Sequence, residues 1–342
     1  MRTPLISVLM PVYNGESFLR EAIQSILNQS FSDFEFLIID DGSTDSSYEI
    51  ILSFKDSRIR VYKNETNLGL IASLNKGVEL SCGEFIARMD SDDVSYTNRL
   101  EKQLDFMKQH PDIGISGSWM HTSNLGKIVK YPETHEECKT FSFFNSPLAH
   151  PTVIFRKKIF IKHNLRYSSD YQVCEDIELW RRCMKFTKLG NLCEPLLYYR
   201  IHSSNVSLQN KSVQKQSLLK YYTHELESLG IQPNLIDLEL HFAFIRPEIT
   251  EEIKTKYNFK DFYTWSDFLL NLNIENKNFE ISQFNKLLED RLILIAFKYI
   301  KNGSIWYYYQ RSNLTSNVCF FIRIFKYILK AFYNRLKNYG FA

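Results

Sequence analysis

Apolar runs of strand length alternate with helix-spaced segments four times before residue 110, and no other feature narrows the fold so far. The runs occupy residues 5–10, 34–39, 59–62 and 85–89. Between them, Phe18, Leu19, Ala22, Ile23, Ile26 and Leu27 recur at helical spacing, and Asn67-Leu68-Gly69 turns into a helix over 70–80. A further helix is expected to begin near Thr97. Such alternation predicts an α/β architecture, a mostly parallel sheet with flanking crossover helices. Residues 11–15 read as the turn after the first strand. Residues 40–45 read as the next turn, with Gly42 as its permissive position and Ser43 or Thr44 as the cap of the following helix.

The fourth run, Phe85-Ile86-Ala87-Arg88-Met89, ends in Asp90-Ser91-Asp92-Asp93. Ligands of open α/β sheets bind outside the carboxyl ends of the strands, where these acids are expected. An Asp-x-Asp pair can share a hard cation such as Mg²⁺ or Mn²⁺, whereas like charges this close repel if left unpaired. A solvated acidic turn capping the next helix explains the same four residues equally well. Asp40 and Asp41 end a second strand. No G-x-G-x-x-G follows the first strand and no G-x-x-x-x-G-K-[ST] occurs anywhere, which speaks against a dinucleotide fold and a P-loop. Acidic strand ends suit metal-bridged phosphates instead.

Beyond residue 110 the pattern loosens. A strand is expected over 113–116, a hairpin over 119–131, a loop running into a strand over 149–156, a helix over 174–186 and a late strand over 196–200. From about 210 onward the chain is helically spaced and carries no motif. The expected division is therefore an α/β domain over 1–210 and a helical module over 211–342. The overall charge of +3 gives no reason to expect nucleic acid. The six cysteines form no Cys-x-x-Cys pair, so free thiols in a reducing cytoplasm are expected. The apolar stretch at the N-terminus is too short for a signal peptide, and no stretch is long enough to span a membrane.

Several short segments together carry a resemblance. They are Pro11-Val12-Tyr13-Asn14, Asp40-Asp41-Gly42-Ser43-Thr44-Asp45, Asn67-Leu68-Gly69, Gly83 to Asp93, Glu175-Asp176 and Tyr199-Arg200-Ile201-His202. In this order, over residues 5 to about 208, they resemble the family 2 inverting glycosyltransferases of GT-A fold. His150-Pro151-Thr152 resembles the branch with His-Pro-[ST] before the Glu-Asp helix. The resemblance implies Mn²⁺ or Mg²⁺ as cofactor, a UDP-sugar donor, and a glycan or lipid-linked saccharide acceptor. It puts Pro11 and Tyr13 under the nucleobase and Asp41 at base and ribose. Asp90 and Asp92 would hold the metal, Asp92 more directly, and Asp93 would touch the donor sugar. Asp176 would be the general base, next to Glu175 at the acceptor. In one respect the chain departs from the family. Some members carry an arginine at the start of the helix before the acidic cluster, where this chain has Asn67-Leu68-Gly69-Leu70. Arg88 is the remaining candidate for that nucleotide contact.

Residue chemistry alone leaves alternatives open. Glu175 and Asp176 also suit an ordinary helix N-terminus. Tyr13 suits a core, and Asp41 a helix cap. His202 reads as a third metal ligand or as a structural histidine, and His150 as an acceptor-cleft or a turn residue. A sugar-phosphate nucleotidyltransferase and a non-catalytic sugar-nucleotide-binding subunit are the competing functions. Residues 311–342 contain Arg311, Arg323, Lys326, Lys330, Arg335 and Lys337 and no acid. Their spacing describes a basic amphipathic helix that fits either an anionic membrane surface or the catalytic domain. The expected location is cytoplasmic, with this tail on the inner face of the membrane.

Overall fold

The computed structural model describes residues 3–123, 126–247 and 249–299. It divides into two compact units, with the division between Tyr221 and Tyr222.

The first unit is built on a nine-stranded sheet. Numbered along the chain, its strands are β1 (Ile6–Val12), β2 (Phe34–Asp40), β3 (Ile59–Lys63), β4 (Phe85–Arg88), β5 (Val94–Ser95), β6 (Ile113–Thr122), β7 (Ile128–Val129), β8 (Ile154–Arg156) and β9 (Lys188–Tyr199). They lie in the order β3-β2-β1-β4-β8-β6-β9-β5, and β7 pairs with β6 as the expected hairpin. The helices are α1 (Glu16–Leu27), α2 (Ser47–Ser53), α3 (Leu70–Leu80), α4 (Arg99–Gln109), α5 (His135–Ser142), α6 (Lys157–Lys162), α7 (Glu175–Cys183), α8 (Val206–Gln209) and α9 (Lys211–Ser228). The unit division falls inside α9.

Strands β1 to β4 are parallel, as the alternating pattern predicts. β1 is buried along its whole length because helices cover both faces. Val8, Met10 and Val12 point to the layer of Leu19, Ala22, Ile23 and Ile26 from α1. Leu9 points the other way, to Leu74 and Val78 of α3. Each such aliphatic side chain contributes roughly 1.5–3 kcal/mol by leaving water.

Parallel order then gives way to a mixed sheet. β8 runs antiparallel to both β4 and β6, while β6 and β9 run parallel over most of their length. The reversal follows from where β8 begins. Arg88 N–H donates to Val153 O at 2.9 Å, so the chain enters β8 beside the carboxyl end of β4 and must run back along it. A 3-10 turn, His150–Thr152, is thereby brought next to the acidic strand end.

Two local expectations are corrected. Pro11 and Val12 belong to β1 rather than to a turn, pairing with Ile39 and Asp40. A proline fits there because the pairing of β1 with β4 ends at Leu9, so its missing N–H lies beyond that ladder. Neither Ser43 nor Thr44 caps α2. Thr44 N–H donates to Asn14 Oδ1 at 2.8 Å, and Ser47 N–H donates to Asp45 Oδ1 at 3.0 Å. The 43–46 segment is held against α1 instead of folding over its own helix.

The start of β4 is fixed by a buried knot. Ser7 Oγ and Cys82 N–H both donate to Glu35 Oε1, Arg60 pairs with Glu35 Oε2, and Gly83 N–H donates to Ser7 Oγ at 2.8 Å. A Cβ on Gly83 would lie 2.5 Å from Ser7 N, so only glycine permits this approach.

In the second unit, α10 (Leu235–Ile245), α11 (Glu251–Lys256), α12 (Phe259–Asn276) and α13 (Ile281–Tyr299) surround Phe244, Phe262, Leu269, Phe284 and Leu288. Capping boxes start α10 (Asn234 with Asp237) and α12 (Asn258 with Asp261). Lys277, at φ +52°, reverses the chain between α12 and α13. Among the described residues no helix is long and apolar enough to cross a membrane. The basic tail over 311–342 lies outside the described residues.

Burial pushes the Glu35 carboxyl up, but the hydrogen bonds from Ser7, Cys82 and Arg60 outweigh it and hold the group below the ordinary glutamate value. Its stabilisation is therefore present above the unfolded pKa and lost as pH falls through the lower folded one. Glu35→Gln is expected to cost about 2 kcal/mol at pH 7. It should cost much less near pH 3, as denaturant titrations at the two pH values will measure.

Candidate active site

The parallel strands β1, β2 and β4 end side by side, and their carboxyl ends define the site. At the end of β4, Met89 N–H donates to Leu9 O at 3.0 Å, which keeps the chain on the sheet until Asp90. Carboxylate oxygens of Asp90, Asp92 and Asp93 all lie within 4.8 Å of one another. Asp90 is gripped by Arg88, whose two terminal nitrogens reach its two oxygens at 2.6 and 2.5 Å. Arg88 was expected at the nucleotide. It lies buried beneath the acids instead, its guanidinium engaged by Asp90. Behind it Arg99, also buried, donates to Arg88 O at 2.6 Å and to Gln103 Oε1 at 2.9 Å.

Asp92 Oδ2 is met by His202 Nε2 at 2.9 Å and by Asn205 Nδ2 at 3.3 Å. Asp93 is fully buried. Its Oδ1 accepts from Arg200 N–H at 2.9 Å, and its Oδ2 has no partner. Arg200 also donates to Asp92 O at 2.9 Å and to Glu21 at 2.7 Å, with its guanidinium 4.6 Å from the centre of the Phe18 ring. The His202 ring lies 4.7 Å from the same phenyl. Thus the 200–205 segment after β9 closes on the acidic loop.

The electrostatics match the geometry. Burial, with Asp92 adding to it, pushes Asp90 up to about 6 against the pull of Arg88. Burial and then the charges of Asp90 and Asp92 push Asp93 well above the carboxylate range. Three carboxyl groups crowd together here, a set of hard oxygen donors with one buried oxygen unpaired. Such a set fits a divalent cation of the Mg²⁺ or Mn²⁺ type.

On the nucleotide side, Pro11 is buried within β1 and Tyr13 just beyond it is 48% exposed, a surface ring rather than a core one. Asp41 was expected at base and ribose. Both its oxygens are engaged: Oδ1 accepts from Asn64 Nδ2 at 2.7 Å and Leu68 N–H at 3.0 Å, and Oδ2 accepts from Gly69 N–H at 2.8 Å. It binds the 64–69 loop to the end of β2. Gly42, at φ +70°, packs against that loop, where a Cβ would lie 2.6 Å from the Thr66 carbonyl carbon.

Across the site, α7 begins with Glu175 and Asp176. Ser146 Oγ donates to Asp176 Oδ2 at 2.7 Å. Burial raises the Asp176 pKa, while Ser146, the Ile177 N–H and the charge of Arg88 draw it down. Glu175 is pushed up to about 7, first by burial and then by Asp176. His150 Nδ1 lies 3.8 Å from Glu175 Oε1, and its Nε2 lies 3.1 Å from the Tyr167 hydroxyl. Burial, then Arg88, holds that imidazole well below its ordinary value and therefore neutral. Sequence reasoning named Glu175, Asp176, His150 and His202 but missed Arg200, Asn205, Arg99 and Ser146. The position of Arg200 within Tyr199-Arg200-Ile201-His202 was a usable signal, whereas Ser146 had none.

Residues 7–165 match the family described as glycosyl transferase family 2. The O-antigen biosynthesis glycosyltransferase WbnJ of Escherichia coli is 37% identical over 229 residues, 64% of this chain and 85% of that protein. TarS 1-349 of S. aureus, solved in complex with UDP-GlcNAc, superposes with a TM-score of 0.58 at 17% identity, covering 88% of this chain and 92% of TarS 1-349. The mannosyltransferase PcManGT of Pyrobaculum calidifontis, solved with GDP-Man and Mn²⁺, gives 0.55 at 13% identity over 88% of each chain. The two solved structures carry the fold, GT-A, and the sequence relatives carry the class: this chain belongs to glycosyltransferase family 2.

Proposed function

We propose that the protein transfers a hexose or N-acetylhexosamine from a UDP-sugar, with inversion, to a glycan or lipid-linked saccharide acceptor in surface polysaccharide synthesis. The observation that carries this reading is the pairing of two acidic centres around Arg88: three clustered carboxylates on one side, and a half-buried Asp176 on the other. The UDP-GlcNAc in the TarS structure supports the donor class, and the Mn²⁺ in the PcManGT structure supports a metal. The name of WbnJ supports the polysaccharide setting. We assign the chemistry to residues 1–210. The basic tail over 311–342 we assign to attachment at the anionic inner face of the cytoplasmic membrane.

Asp90 and Asp92, with His202 as a third ligand, would hold Mn²⁺ or Mg²⁺. Once bound, the cation neutralises the donor diphosphate and stabilises it as leaving group. Arg88 keeps Asp90 oriented toward it. Pro11 and Tyr13 support the nucleobase, and Asp41 shapes the loop against which base and ribose lie. Asp93, expected at the donor sugar, is fully buried and held by Arg200 N–H, so it braces the acidic loop from within instead. Asp176 takes the proton of the acceptor hydroxyl as that oxygen attacks the anomeric carbon. Glu175 and His150 line the acceptor side. One displacement inverts the anomeric centre, so no covalent nucleophile is required.

Calorimetry with UDP is the first measurement. Binding in Mn²⁺ should weaken about tenfold or more in EDTA or in Asp92→Ala. Mn²⁺ should also raise the Tm of the wild type but not of that variant, because a ligand of the folded state stabilises it. Metal-independent UDP binding would remove the acidic cluster from the mechanism.

Asp176→Asn should leave UDP affinity unchanged and lower kcat by about 10²–10⁴-fold. A base acts in its ionised form, and this one is raised by burial. The wild-type kcat/KM should therefore fall as pH decreases, with its midpoint above the ordinary aspartate range. A rate insensitive to the Asp176→Asn change would sink the base assignment.

A further inference from the structure

We propose that Ser146 is the positioning residue of this site: its hydroxyl holds Asp176 Oδ2 and so sets the rotation and proton affinity of the base. The proposal rests on the assignment of Asp176 made above.

The two residues are 30 positions apart and lie on different elements, Ser146 in the segment after α5 and Asp176 in the first turn of α7. A hydroxyl can orient a carboxylate only if it is itself held, and this segment is. Asn191, nearly fully buried on β9, donates from Nδ2 to Pro147 O at 3.0 Å and to Pro132 O at 2.6 Å. The Tyr221 hydroxyl donates to Ser142 O at 2.7 Å, and Ser146 N–H donates to Asn145 Oδ1 at 3.0 Å. Gly117 leaves room for Asn191, since a Cβ there would lie 2.4 Å from Asn191 Oδ1. Ser146 is thus presented to the base from a pinned frame.

The Ser146 hydroxyl has a second acceptor in reach, Leu148 O at 3.0 Å. One proton cannot serve both well. The carboxylate oxygen is the closer, at 2.7 against 3.0 Å, and a carboxylate is the stronger acceptor when charged. The other groups that face Asp176 do different work. Arg88 of β4 favours the ionised form through its charge. Glu175, next to it on α7, competes for the same field. Tyr131, after β7, and Tyr167, before α7, feel the aspartate charge, and burial holds both phenols far above their ordinary value and neutral. His150, beside Tyr167, is neutral as well. Among the described residues, Ser146 is the neutral side chain seen donating to the carboxylate, so its loss should raise the proton affinity of Asp176.

The test uses the full chain with ¹³C-carboxyl-labelled aspartate, and the Asp176 resonance is identified by its loss in Asp176→Asn. Ser146→Ala should move the Asp176 midpoint to higher pH, and Ser146→Thr, which keeps the hydroxyl, should leave it near that of the wild type. If Ser146→Ala does not fold, Ser146→Cys, a weaker donor of similar size, replaces it. An Asp176 midpoint unmoved in the folded variant overturns the proposal, since a merely structural serine would leave that titration in place. Failure of the underlying reading looks different: Asp176→Asn would then retain its transfer rate, whatever the titrations show.

Discussion

A single buried guanidinium, that of Arg88, stands between the two acidic centres. It feels the charges of Asp90, Asp93 and Glu175, and its own charge acts in turn on Asp176 and His150. Burying one ion costs several kcal/mol unless close partners offset it. Arg88 has those partners in the forked contact with Asp90, and the residual field of the same group favours ionisation on the base side. Arg99 stands behind it on Arg88 O. Burial and then the like charge of Arg88 push Arg99 down to about 9, a value at which it stays cationic at neutral pH. Strand β4 and helix α4 therefore each supply one fixed positive charge under a cluster that is otherwise acidic.

This electrostatic arrangement depends on packing at the far half of the sheet. Gln103 links Arg99 to Thr152 O at 2.6 Å, and Thr152 Oγ1 in turn accepts from Ser118 N–H at 3.0 Å. The turn that carries His150 is thus held by α4 on one side and β6 on the other. Asn191 secures the neighbouring segment that carries Ser146. Both base-side contacts are set by residues of β6 and β9 and of the helices around them. The acidic loop is reached from β1 and β4 and is closed by the 200–205 segment after β9. Two halves of one sheet, the first parallel and the second mixed, each contribute one centre of the site.

The elements of both halves were legible in the sequence, but only the first half's pairing was. Periodicity is local, so β1 to β4 and their helices could be read from apolar spacing, and the acids could be placed at a strand end. Pro11 misled because proline ends strands in general, and only the register shows that the β4 ladder has already stopped there. The direction of β8 follows from a contact between Arg88 and Val153, which no spacing within either segment encodes. Arg200 and Asn205 reach Asp93 and Asp92 across 107 and 113 residues. Asp41 shows the converse case. Its place at the strand end was legible, but not that its oxygens would be engaged by Asn64, Leu68 and Gly69, because backbone donors leave no mark on composition.

Glu175 and Asp176 show how neighbouring acids at one helix start come to differ. Glu175 is buried and Asp176 half-buried, and both gain from the backbone donors and dipole of the first turn. Glu175 faces a neutral His150 at 3.8 Å, too far for a hydrogen bond, and is the one pushed up to about 7. Asp176 has the Ser146 hydroxyl at 2.7 Å and the Ile177 N–H, which hold back the effect of burial. When two carboxyls in one field are pushed apart in this way, a shared proton resides on the one with fewer donors. Here that is Glu175. Of the two, Glu175 is the more readily protonated, and on the reading proposed above Asp176 is the one that takes the proton of the incoming hydroxyl.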